Sequence, residues 1–416
     1  MKKRTKLTVA ALGSTNFIIV LVNTILFPVF PVMARNLDLT LQDLSWLVTL
    51  VSFPAAVICP FGGLLADRWS RKYVMLVSLI FYGLGGLIAG LAVIFLENPF
   101  PVMLVGRLAQ GIGSATPMYL TTALAGDIFH SAERHNTVGL LEAANGIGKI
   151  MSPILGAVIG VVLWYAPLFL FPLVALPVAL ALWLTVQEKK HPPVEWSEQK
   201  KALELFKNRS RILTLVAGVV TIFVIIGIMF WLSDVLDAKL EGGKILRGII
   251  LSVPVISLML TSFFSGSLGK NLGTRLTIGI GMLVKAVGLI AVPFLFDTVF
   301  FWAAVVLIGI GSGMILPAMD TVSTSVAKRE YRGVLTTTYG ASRSLGAALA
   351  PYTFALLMDV EVLMPFYPIA AGTAITGVLV LLLLHNEEVL PQELLPGKGD
   401  DHGETPTNEE PSEETE

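Results

Sequence analysis

The ionisable residues inside apolar runs of this sequence include Arg107, Glu142, Lys149, Lys285, Asp320 and Arg343. A charge at membrane depth costs a few kcal/mol or more, so each is read first as a functional group. A carboxylate set among cations can load and release a proton, because burial and neighbouring charge bias its ionisation in opposite senses. Glu142 fits that role best. It precedes Lys149 by seven residues, two helical turns, so both share one face. The competing reading of Glu142 is a static ion pair with Arg343 or another cation. For Asp320 and Asp127, near the ends of their runs, it is a helix-end carboxylate in water. Lys285 is expected to snorkel or to pair locally.

Other chemistries find no residues. The histidines, His130, His135, His191, His385 and His402, are scattered through polar connections and the tail, without metal-ligand spacing. Cys59 is the one cysteine, so no internal disulfide forms and no thiol metal site is expected. No G-x-x-x-x-G-K-[ST] loop is present to cradle a nucleotide phosphate. Gly309-Ile-Gly311-Ser-Gly313 is glycine-rich but lies in an apolar run. No nucleophile–base pair stands out, so the chain does not read as an enzyme, and no cofactor is expected.

The elements that hold these charges are membrane helices. The chain of 416 residues is 54% hydrophobic and 14% charged, with mean hydropathy +0.76. A soluble domain lacks the polar surface to cover that much apolar side chain. Twelve apolar runs reach the roughly 20 residues that cross a bilayer. Read as spans they cover about 8–34, 44–66, 73–95, 102–126, 136–162, 164–186, 212–236, 247–269, 276–296, 299–325, 334–357 and 362–385. The basic start, Met1 to Lys6, runs directly into the first span and reads as a retained helix. A rise of about 1.5 Å per residue puts Arg107 roughly 8 Å below the outer surface and Lys149 roughly 20 Å above the inner one, at similar heights.

Orientation follows from the basic residues. With the N-terminus inside, the cytoplasmic segments carry 21 of the 29 Lys and Arg, and the external loops carry four, Arg35, Lys239, Lys244 and Arg247. That bias places both termini in the cytoplasm. Residues 187–211 form a basic central linker, in which the stretch after Ser197 is either an amphipathic surface helix, dipping Leu203 and Phe206 into the headgroups, or a plain solvated linker. Residues 386–416 read as a disordered acidic tail. A net charge of −1 suggests no nucleic-acid partner.

The spans repeat. Gly63 to Lys72 after span two matches Gly266 to Arg275 after span eight, at an offset of 203. Gly111-Ile-Gly-Ser114 in span four matches Gly309-Ile-Gly-Ser312 in span ten, and Gly148-xxx-Ser152-Pro153 in span five matches Gly346-xxx-Ala350-Pro351 in span eleven, both at 198. Three matches in order mark a duplicated six-helix unit, 1–186 and 212–385. The second copy carries Lys270 where the first has Asp67.

These residues resemble the major facilitator superfamily. Gly63-Leu-Leu-Ala-Asp67-Arg68-Trp-Ser-Arg71-Lys72 is similar to its inner-loop signature, with Ser70 where glycine is usual. Arg107-Leu-Ala-Gln110-Gly111-Ile-Gly113-Ser-Ala115 is similar to its span-four signature. Gly148-xxx-Ser152-Pro153-xx-Gly156-Ala157 resembles the antiporter signature, with Ser152 and Ala157 in place of glycines, and Pro28-Val-Phe-Pro31 resembles a signature of the twelve-helix drug:proton antiporters.

The resemblance implies twelve helices in two pseudo-symmetric halves that rock about a central site. It implies that Gly63, Asp67, Arg68, Arg71 and Lys72 belong to a gating charge network centred on Asp67. It implies that the bend at Gly148, Ser152, Pro153 and Gly156 seals the external side. Arg107, Glu142, Lys149, Asp320 and Arg343 fall on the helices that line the cavity in this family, and Lys285 does not. Phe17, Phe27, Phe30, Trp46, Phe230 and Trp231 offer an apolar wall or ordinary packing. The implied function is proton-driven antiport of a small amphipathic compound, with Arg107, Lys149 and Arg343 favouring an acidic one, by a monomer in the inner membrane. Uptake by symport or facilitation, lipid flipping, and a non-transporting sensor are the alternatives.

Overall fold

The computed structural model describes residues 3–129, 131–188, 204, 207–239, 243–324 and 329–389. The proposed surface helix after Ser197 and the tail beyond residue 389 lie outside them, as do the side chains of Asp67 and Lys270. The described chain is helical between short connections. In hydrocarbon each backbone polar group needs an internal partner, and a helix supplies one within its own segment.

Among the described residues nine helices are long and apolar enough to cross a membrane. The three other expected spans are present in altered form. Span one is broken: α1 (Lys3–Leu21) passes through a 3-10 turn at Phe27–Val29, which contains Pro28, into α2 (Phe30–Leu37). Span four is broken where Pro117 follows Thr116, giving α5 (Phe100–Ser114) and α6 (Pro117–Ile128). Span eleven is a continuous helix that carries Arg343 among other polar residues. The remaining helices are α3 (Leu41–Arg68), α4 (Arg71–Phe95), α7 (Ser131–Val162), α8 (Ala166–Thr185), α9 (Arg209–Lys239), α10 (Lys244–Leu251), α11 (Val253–Leu295), α12 (Phe301–Thr324), α13 (Arg329–Met358) and α14 (Phe366–Leu383). Helix α11 holds spans eight and nine in one run that turns at Gly273, whose φ of 76° is open to a residue without Cβ.

The repeat seen in the sequence is a repeat of packing. A Cβ on Gly111 would meet the backbone of Val51, and one on Gly309 would meet Pro254. Gly113 lies against Ser78 and Tyr82, and Gly311 against Gly281 and Lys285. Gly148 lies against Phe17 and Val20, and Gly346 against Val219 and Phe223. Glycines related by 198 therefore touch partners related by about 203, so two six-helix halves share one packing scheme.

The turn between α3 and α4 explains the departure at Ser70. The Ser70 hydroxyl accepts from the Tyr73 N–H and caps α4. Glu188, just beyond α8, completes the cap. Its carboxylate accepts the Ser70 hydroxyl and the N–H groups of Arg71 (2.8 Å) and Lys72 (3.2 Å). Lys72 Nζ donates to the carbonyls of Trp183 and Val186, at the C-terminal, negative pole of α8. Arg71 pairs with Asp127 at 2.5 Å. These bonds join spans three, four and six within the first half, and Gly63 faces Thr337 of the second.

The expected tail begins as structure: Asn386–Val389 is a helical turn with Val389 buried. Asn386 accepts from the Arg275 N–H. Ser210 donates to Glu388 at 2.5 Å and holds its carboxyl below the usual range.

On the face opposite the two termini, polar bonds join the halves. Arg35 and Arg247 both bind the Asp237 carboxylate. Arg247 also donates to the Pro28 carbonyl, and Ser233 to the Phe27 carbonyl. Gln42 donates to Asp359 and Ser252 to the Ile150 carbonyl. Phe27, Phe30 and Phe230 pack with ring centroids 5.4–6.2 Å apart. These aromatics are buried in the seam between halves, whereas Trp231 is enclosed in the second half and donates to Val362. Arg247, expected in a loop, sits instead in α10 with its side chain 4% exposed. Asp237→Ala leaves that guanidinium without its carboxylate, at a cost of roughly 3 kcal/mol to this closed face. A cysteine at Val29, a buried neighbour, should then react several-fold faster with a hydrophilic maleimide, and equal rates would remove the latch role from Asp237.

Candidate functional site

The site is built on α7. Its small-residue stripe seats on the broken first span. Gly148 meets Phe17 and Val20, Gly156 meets the Ile25 carbonyl, and Gly160 meets Val29. Ser152 is fully buried, donating to the Leu21 carbonyl (3.0 Å) and accepting from Thr24 (2.8 Å). A glycine there could make neither bond, which gives the departure from the antiporter signature a physical use. On the other side Pro153 and Ala157 take Gly248 of α10. Span five is thereby fixed between span one and span eight, and its third face is left for the charges.

That face carries Glu142, Asn145 and Lys149. Glu142 is exposed and Lys149 half-buried, and neither makes a hydrogen bond or ion pair among the described residues. Lys149, Asp320 and Arg343 are the charges within electrostatic range of Glu142. Arg343 is taken by Asp320, Nη2 to Oδ1 at 2.5 Å, and it reaches the Leu316 carbonyl at 3.4 Å. The expected alternative, a Glu142–Arg343 pair, does not form. Asn145 is 5% exposed; its amide nitrogen faces Met118 Sδ at 3.4 Å, and its Oδ1 is buried without a partner among the described residues.

Tyr119 joins the halves beside these groups. Its hydroxyl occupies the space that a Cβ on Gly340 would need, and Cys59 lies beside it. Arg343, Asp320 and Glu142 are all within electrostatic range of the phenol. The site thus draws on α3, α6 and α7 of the first half and α12 and α13 of the second.

Two of the intramembrane cations lie elsewhere. Arg107 is expected to line the cavity, but its side chain is enclosed within the first half. Its donors go to Leu47 O (2.7 Å), Gln110 Oε1 (2.7 Å) and Val22 O (2.9 Å). The Val22 carbonyl is one that the break in span one leaves without its helical partner, so Arg107 stabilises that break. Lys285 does not snorkel. It is fully buried and donates to Thr221 Oγ1 at 2.9 Å. It fills the slot that Tyr82 fills in the first half, where the phenol donates to the Ile18 carbonyl at 2.5 Å.

Sequence reasoning missed Asn145, Tyr119, Glu188 and Asp237. Asn145 carries a usable signal, a polar side chain on the Glu142–Lys149 face. The Pro117 break just before Tyr119 is another. Asp237 and Glu188 act through partners distant in the chain, and no local pattern marks them.

Comparison with known proteins agrees with this architecture. A sequence model of the Major Facilitator Superfamily matches residues 12–351 and 244–409. The chain is 33% identical over 360 residues to the bacillibactin exporter of Bacillus subtilis (strain 168), covering 84% of this chain and 90% of that one. It is 24% identical over 380 residues to the quinolone resistance protein NorA of Staphylococcus aureus (strain COL), covering 88% and 94%. The fold is similar to the crystal structure of a D-xylose-proton symporter, with a TM-score of 0.72 at 12% identity, covering 91% of this chain and 98% of that one. A family match along most of the chain, with one-third identity to a relative of nearly equal extent, assigns this protein to the Major Facilitator Superfamily of membrane transporters.

Proposed function

We propose that this protein exports a small amphipathic compound in exchange for protons, by rocking 1–186 against 212–385. The observation that carries the reading is Glu142, an exposed carboxylate at the meeting of the halves without a bonded partner among the described residues. Such a group is free to exchange a proton when the halves rearrange around it. The relatives named for export and for drug resistance support the outward direction. The bias of 21 basic residues to four supports a cytoplasmic-membrane orientation with both termini inside. The proton gradient is the energy source, no cofactor takes part, and the working unit is a monomer. Lys149, with no bonded acidic partner among the described residues, favours a substrate that carries an acidic group.

Proton release from inverted vesicles tests the reading. The protein is overexpressed, an interior-acid gradient is set up, and amphipathic compounds are added. A transported compound is expected to dissipate the gradient in vesicles that hold the protein and not in those that lack it. Silence across a broad panel would overturn proton-coupled export of such compounds and favour a uniporter or a lipid-type flippase on the same fold.

A further inference from the structure

We infer that the substrate is amphoteric: its acidic group binds Lys149, and its basic group binds Glu142 in place of the transported proton. This inference rests on the antiport reading above and names the chemistry of that same site.

The argument is a count of partners. Four charged groups meet at the centre, but two are already used on each other, since Asp320 binds Arg343 at 2.5 Å. The two that remain are of opposite sign and have no bonded partner among the described residues. They do not bond each other. Seven residues of helix separate their backbones by about 10 Å, and at that spacing a pair on one helix is beyond the reach of the i, i+3 and i, i+4 contacts. A single ligand with a charge at each end bridges them. Asn145 stands between, one turn from each, and its buried Oδ1 lacks a donor. A basic nitrogen directed at Glu142 supplies one after a small rearrangement of the amide.

Electrostatics favours this ligand over a simple acid. Arg343 is neutralised and Arg107 is enclosed with its donors spent, so once Glu142 has given up its proton the centre holds two positive and two negative groups. A ligand with one charge of each sign leaves that balance unchanged. The titratable groups facing Glu142 are Lys149, Asp320, Arg343 and the Tyr119 phenol. None of them is a carboxylate free to take over its role, because Asp320 holds Arg343. Competition of one basic group and one proton for one carboxylate is what exchange requires: each leaves when the other arrives.

Binding to the purified full-length protein in lipid nanodiscs tests this. The probes are 4-(aminomethyl)benzoate, which bears both charges, 4-methylbenzoate, which bears the acid alone, and 4-methylbenzylamine, which bears the base alone. The doubly charged probe should bind at least about tenfold more tightly than either relative, the value of one good polar contact. Its binding should release protons, seen by calorimetry in buffers of different ionisation heat. Lys149→Gln should reduce it to the level of the amine. Glu142→Gln should reduce it to the level of the acid and stop proton release. Lys149→Arg, which keeps the charge, should restore the wild-type ranking and so separate a lost contact from a damaged fold. Equal affinity for the acid alone and the doubly charged probe would overturn the inference, as would a ranking that neither substitution changes. The two readings fail separately. If the probe binds as described but does not discharge the vesicle gradient, antiport fails and the site stands. If compounds discharge the gradient without regard to their charges, antiport stands and the site fails.

Discussion

Glu142→Gln is expected to uncouple transport from the proton gradient. The substitution keeps the shape and one hydrogen-bonding oxygen of the side chain and removes its capacity to carry a proton. Coupling between two ligands of one protein amounts to about 1–3 kcal/mol, or roughly 5- to 150-fold. Gradient-driven accumulation should fall by the upper part of that range. Substrate counterflow, which needs no gradient, should persist, because the carboxamide forms no new obstacle between the halves. No charge pair among the described residues is broken, since Glu142 has no bonded partner there, and thermal stability should stay close to that of the wild type. Accumulation in the variant at the wild-type level would remove Glu142 from the coupling path and direct attention to Asp320.

Gly156→Ala is expected to be the most damaging single methyl group in the protein. A Cβ at this position would sit 1.8 Å from the Ile25 carbonyl oxygen. The obstacle is backbone, not the end of a flexible side chain, so one helix must shift. That backbone is also held in place, because Ser152 and Arg107 bind carbonyls of Leu21 and Val22 in the same segment. Overpacking costs about 1–3 kcal/mol and occasionally more, and at this interface the high end is expected, with loss of both counterflow and gradient-driven transport. Gly139→Ala on the same helix is the control. A Cβ there has nothing within 4 Å, and the change should leave transport intact and raise stability by about 0.5–1 kcal/mol. Similar melting temperatures and activities for the two variants would contradict the packing described for α7.

What could be read from the sequence divides along physical lines. The spans were legible because a bilayer imposes a length on every apolar run. The duplication was legible because close helix packing needs glycines at fixed places, and Gly111 with Gly309, or Gly148 with Gly346, preserve those places. The stripe on span five was legible for the same reason. The assignment of charges to a common chamber was only partly so. Arg107 and Arg343 look alike in sequence, each an arginine within an apolar run. Their fates differ because span one breaks beside Arg107 and offers it a carbonyl, whereas Asp320 lies within reach of Arg343. For Lys285 the sequence leaves snorkelling and pairing open, because its acceptor, the Thr221 hydroxyl, lies on another helix. Arg247 counts among the external-loop charges because it stands at the very edge of the eighth apolar run, whereas α10 starts three residues earlier and carries it inside a helix.

The seam opposite the termini has a consequence for how this protein can change over time. Among its acceptors in the first half are the carbonyls of Phe27 and Pro28, which every amino acid possesses, so no codon change at those positions deletes them. Their donors, Ser233 and Arg247, are side chains of the second half. Heritable adjustment of these two bonds is therefore one-sided: the second half holds the variable partner, and the first keeps a fixed docking surface as long as the broken helix keeps its course.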